Sequence, residues 1–142
     1  MTEQVDDRTA AYAAVTLPCF EDLKQAAAQI AGLLVLAAAG SSAAAPDHPL
    51  ITAAAQVQRQ AEDALRSARV SKAARVHYEY LSRASAKLAR VLSVLGAGRD
   101  ALPLLEGVYA DLRAASRALP GFQMLDFERG CCGPHRAQAV VR

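Results

Sequence analysis

The chain contains no tryptophan and no asparagine, and only 5% of its 142 residues are aromatic. Long alternations of Val, Ile, Thr and aromatic residues, which strands need, are missing as well. A sheet-based fold is therefore excluded at the outset. Long apolar runs are also lacking. The longest, Ile30 to Ala39, has ten residues, against roughly 20 for a membrane-spanning helix. Met1 to Asp7 is acidic where a secretory leader would be basic. The three cysteines are an odd number. Together these features predict a cytoplasmic protein with reduced thiols and no membrane association.

Familiar catalytic constellations are missing too. There is no glycine-rich phosphate loop, no Ser-His-Asp arrangement and no His-Glu-x-x-His motif. The neighbouring acids Glu21-Asp22 and Glu62-Asp63 would point about 100° apart on a helix, so neither forms an acid/base pair. The sequence thus leans away from an enzyme.

What is abundant is alanine, the strongest helix former. Arg outnumbers Lys thirteen to three, a bias that GC-rich coding produces without phosphate recognition. The formal net charge is +2, unevenly spread: −4 over residues 1–50, +5 over 51–100 and +1 over 101–142. That balance is too small to imply nucleic acid as a partner.

Apolar periodicity predicts four helices. Residues 1–17 read as a short, partly helical N-terminal segment. Pro18, followed by Glu21 and Asp22, marks the start of the first long helix. Its stripe is Phe20, Leu23, Ala27, Ile30, Leu34 and Ala37, with Leu33, Val35 and Leu36 adding apolar surface. The stretch from Gly40 to Pro49 is a loop by its Gly, Ser and Pro content. A second helix from Pro49 carries Leu50, Ala54, Val57, Ala61, Ala64 with Leu65, and Ala68. A third carries Val70, Ala74, His77, Leu81, Ala84, Leu88, Val91 and Leu95. The two stripes do not join in phase, which predicts a break near Arg69 to Lys72 with Ser71 as a cap. Gly96-Ala97-Gly98 ends the third helix, and Asp100 caps a fourth whose stripe is Leu102, Leu105, Val108, Leu112, Ala115 and Leu119. Residues 18–121 therefore read as an antiparallel up-and-down four-helix bundle. Residues 122–142 form an extension that either packs on the bundle or stays disordered.

Four candidate sites follow. Cys131, Cys132 and His135 offer thiolate and imidazole ligands for zinc or iron, or a thiol redox pair. A closed structural zinc site takes four ligands, so Cys19 would have to complete the set. His77 lies on the inward seam, where a bundle can hold a ligand, whereas phosphotransfer would need it exposed. Arg69, Lys72, Arg75, Arg83, Lys87 and Arg90 form a basic face, either solvated or open to an acidic partner. Phe122, Met124, Leu125 and Phe127 put four large apolar residues in six positions, which calls for a cover. The leading expectation is a protein-binding or regulatory module, with a protein partner or a second copy of itself.

Overall fold

The computed structural model describes residues 6–40 and 47–121. Four helices follow in chain order: α1 (Asp7–Ala38), α2 (Pro49–Ser67), α3 (Arg75–Gly96) and α4 (Leu102–Ala118). They form an antiparallel up-and-down bundle. α1 packs on α2, α2 on α3, α3 on α4, and α4 closes the ring against α1. No strand occurs among the described residues. No described helix is long and apolar enough to cross a membrane.

The first helix departs from expectation. It starts eleven residues before Pro18, at Asp7, and runs through the proline without a break. Asp6 caps it, its Oδ1 accepting from the Thr9 N–H at 2.6 Å. Proline within a helix removes one backbone bond and crowds the preceding turn, at a cost of about 3 kcal/mol or more. The cost is offset by burial on the N-terminal side. Tyr12, Ala13 and Thr16 are all buried, and Tyr12 and Ala13 join Ala74 and Leu119 in a second apolar cluster. Pro18 itself lies on the exposed side, where water can reach the carbonyl it leaves free. Residues 7–17 are thus part of the bundle, not a separate frayed segment.

The main core holds Phe20, Leu23, Ile30, Leu81, Leu88, Val91, Leu105, Val108 and Leu112, each almost wholly shielded from solvent. These are stripe residues of α1, α3 and α4 as the periodicity predicts. Three corrections belong to the stripes. Val35 and Leu36, the apolar surface added off the stripe of α1, are 68% and 51% exposed, and only Leu33 of the three is buried. Leu102, at the first position of α4, is half exposed. In α2 the buried set is Ile51, Ala54, Gln58, Ala61 and Leu65, and Leu50 and Val57 sit at the edge of the seam. Gln58 takes the central place because its amide is satisfied there. Nε2 donates to the Ser85 carbonyl at 3.3 Å, to Ser85 Oγ at 3.2 Å and to Glu62 Oε2 at 3.3 Å. A buried amide is tolerated when its polar atoms are paired, and hydropathy alone does not find it.

The break between α2 and α3 falls over residues 68–74. Ser71 Oγ accepts from the Ala74 N–H at 3.3 Å and so closes the turn ahead of α3, but the N-cap of α3 is Ala74, because regular helix resumes only at Arg75. The α3–α4 turn is closed by Gly98 at φ +70°, a left-handed conformation that favours glycine. Asp100 Oδ1 accepts from the Leu102 N–H at 3.0 Å, one residue ahead of the N-cap, which is Ala101 and not Asp100 as expected.

Between α3 and α4, Lys87 Nζ lies 2.6 Å from Asp111 Oδ2, on a carboxylate that is nearly buried. The absent side chain of Gly107 leaves room for the Lys87 stem, whose Cδ would lie 3.4 Å from a Cβ placed there. Removing one partner of a shielded pair strands the other charge. Lys87→Ala is therefore expected to cost about 1–3 kcal/mol, less than a fully buried pair because Lys87 is partly solvated. Lys87→Ala combined with Asp111→Ala should recover much of that loss. Chemical denaturation of the two variants checks this.

Candidate docking groove

The antiparallel order brings four chain segments to one end of the bundle: the start of α1, the end of α2, the start of α3 and the end of α4. At this end the α2–α3 connection lies against the first turns of α1. Thr9 Oγ1 and Ser71 Oγ share a hydrogen bond at 2.8 Å. One helical turn deeper, the Tyr12 hydroxyl and His77 Nδ1 are 2.8 Å apart, and the two rings meet edge to face with centroids 5.6 Å apart. Thr16 then donates to the Tyr12 carbonyl at 2.9 Å.

The Tyr12–His77 pair is held neutral by burial. Desolvation raises the Tyr12 pKa to about 12 and lowers that of His77 to about 4. His77 Nε2 is buried and has no hydrogen-bond partner among the described residues. His77 therefore lies inward as its place on the stripe predicts. It exposes no surface, the opposite of what phosphotransfer requires.

Beside this polar seam runs an open groove of about 870 Å³ between α1 and the α2–α3 corner. Ala11, Tyr12, Val15, Ala64, Ala68 and Val70 give it an apolar floor. Val15 is 48% exposed there, one of the few large apolar side chains of the bundle left open to solvent. Arg8, Arg69 and Lys72 bring positive charge to its rim, with the hydroxyls of Ser67 and Ser71. Asp6 and Asp7 also line it, but at the N-terminus of α1, where the helix dipole offsets negative charge. The Thr9 backbone bond holds the Asp6 carboxyl below its usual pKa, so it stays ionised at neutral pH. The Arg8 charge also helps to hold the Asp6 carboxyl ionised, whereas Arg69 and Lys72 enter no ion pair among the described residues.

The basic face expected on the third helix does not hold together. Arg69 and Lys72 precede α3 and belong to the groove. Arg83 lies over the Tyr80 ring, its guanidinium carbon 5.5 Å from the ring centre. Lys87 is drawn off to Asp111 on α4. Arg75 and Arg90 are exposed. A helical wheel separates charged from apolar positions, but it carries no information on which charges a neighbouring helix will claim.

Cys19 is also relocated. With α1 starting at Asp7, it lies in mid-helix rather than in a first turn, so no helix dipole favours its thiolate. It is buried, and its thiol donates to the Val15 carbonyl at 3.4 Å. Burial first, and Asp22 second, push its pKa up. The other proposed ligands, Cys131, Cys132 and His135, lie outside the described residues, as do Phe122, Met124, Leu125 and Phe127. Among the described residues no group of three or more His, Cys, Asp and Glu side chains converges as a metal site.

The groove itself went unread in the sequence because half of it comes from residues assigned to a frayed N-terminal segment. One signal was available: Asp6-Asp7-Arg8-Thr9, ahead of an apolar helical repeat, is an N-cap with acid in the first turn. Comparison with protein-family models, with curated proteins and with solved structures finds no significant match to this chain.

Proposed function

We propose that the protein is a non-enzymatic helical module, working in the cytoplasm, that binds an acidic amphipathic segment of a protein partner. The observation that carries this reading is the groove at the end of the bundle where α1 begins: an apolar floor beside Arg8, Arg69 and Lys72, of which Arg69 and Lys72 enter no ion pair among the described residues. An amphipathic segment lays its apolar side chains in such a trough, and its acids meet the cationic rim. The open form also favours this occupant. Small-molecule sites enclose most of their ligand, whereas this groove is partly open to solvent.

The test uses the full chain and a labelled synthetic peptide of about 18 residues. Leucines stand at helical i, i+3, i+4 and i+7 spacing, with glutamates elsewhere. Fluorescence anisotropy should give saturable binding that weakens with salt. Arg69→Glu with Lys72→Glu should weaken it about tenfold or more, since both rim contacts become repulsive. A lysine-substituted peptide of the same pattern should bind far more weakly. Equal affinity for the charge-reversed variant would overturn the reading. So would a lack of saturable binding even at millimolar peptide.

A further inference from the structure

We infer that the chain's own segment from Phe122 to Glu128 is an intramolecular occupant of this groove, so that an outside partner must displace it. The inference rests on the docking reading above, and three observations carry it.

The first is where the chain leaves the bundle. Leu119, just beyond α4, is buried against Tyr12, Ala13 and Ala74, with Ala68 and Val70 at the margin of the same cluster. Tyr12, Ala68 and Val70 also line the groove. The last buried side chain of the bundle thus lies within one side chain of the groove floor. Gly121 follows at φ +77°, a turn that redirects the chain. Seven residues, if extended, would reach roughly 23 Å.

The second is chemistry. Residues 122–128 read Phe-Gln-Met-Leu-Asp-Phe-Glu: four large apolar side chains, two acids and no base. This is the composition the groove selects, apolar for the floor and negative for Arg8, Arg69 and Lys72. The third is the floor itself, where Val15 stays 48% exposed.

Tethering sets the expected effect. A segment joined by a short linker acts at an effective concentration on the order of millimolar. Even a weak intramolecular contact then raises the apparent Kd of a competing peptide about tenfold to a hundredfold.

The experiment compares the full chain with the full-length Phe122→Ser/Phe127→Ser variant, which removes apolar anchors and leaves charge unchanged. The acidic amphipathic peptide is titrated into both. The variant should bind it at least about tenfold more tightly. Equal affinity would overturn intramolecular occupancy while leaving the groove a docking site. Binding by neither, even at millimolar peptide, would overturn the docking reading itself. A second readout uses the absence of tryptophan. Phe127→Trp introduces a lone reporter, whose emission should be blue-shifted and should move to the red when Arg69→Glu and Lys72→Glu are added. Emission like that of free tryptophan, or a blue shift insensitive to the groove changes, would contradict the assignment.

Discussion

Truncating Phe20 to alanine is expected to cost about 3–5 kcal/mol of folding free energy. The ring sits in α1 two residues beyond Pro18, is 1% exposed, and belongs to the main core with Leu81, Leu88 and Leu112. The cost joins the lost transfer energy of the ring to that of the cavity it leaves, because neighbours fixed on rigid helices relax only partly. A domain holds about 5–15 kcal/mol in all, so this one change removes about a fifth or more. Leu102→Ala is the matched control. Leu102 is half exposed at the start of α4, and its loss should stay within about 1 kcal/mol. Urea unfolding of the two variants checks the contrast. Equal costs would contradict the placement of Phe20 in the core.

Acidification should destabilise the bundle through His77. Its folded pKa is lowered by burial from the ordinary 6.5 to about 4. Between those values the unfolded chain takes up a proton that the folded chain refuses, so stability rises with pH across this window. The neutral ring's contribution is fully present above about pH 6.5 and is lost as pH falls through about 4. A shift of that size corresponds to about 3 kcal/mol at most. Asp6 acts in a separate range. Its carboxyl is held below 3.8, so its contribution is lost only at still lower pH. Urea midpoints from pH 7.5 down to 4.5 should fall steadily for the natural chain. The Tyr12→Phe/His77→Phe variant removes both polar partners and should flatten the profile. A profile equally steep in that variant would place the titrating group elsewhere.

The pair Tyr12–His77 also shows what the sequence could and could not carry. The stripes of α3 and α4 were legible because regular helices repeat, and nearly every residue assigned to them is buried. Ser71 and Asp100 were legible as side chains that bond the backbone just ahead of a helix, because such bonds join near neighbours, although the N-caps are Ala74 and Ala101. Pro18 was misread for a related reason. Local chemistry says a proline starts or breaks a helix, but Tyr12 and Ala13 are buried with Ala74, His77 and Leu119, sixty and more positions away. The same range limit hid Gln58. A polar residue in a seam looks like a defect until Ser85, 27 positions on, supplies its partners. The groove combines both kinds of long-range information, since the first turns of α1 meet the α2–α3 connection only in the folded chain.

The metal expectation illustrates a different limit. Its sequence basis was the cluster Cys131, Cys132 and His135, which needed Cys19 as a fourth ligand. A buried thiol with a raised pKa, bonded to the Val15 carbonyl, makes a poor recruit for that site. The same α1 geometry that buries Cys19 builds the groove at its N-terminal end.

The central claim, that this end of the bundle is a docking surface for an acidic amphipathic segment, is tested most directly by mapping. Amide and methyl resonances of the labelled full chain would be followed while the acidic peptide is added. The account predicts saturable shifts confined to Ala11, Tyr12, Val15, Ala64, Ala68, Val70 and Ser71, the residues that line the groove. Shifts centred instead on Val35, Leu36 and Leu102, the exposed apolar residues at the opposite end, would contradict it.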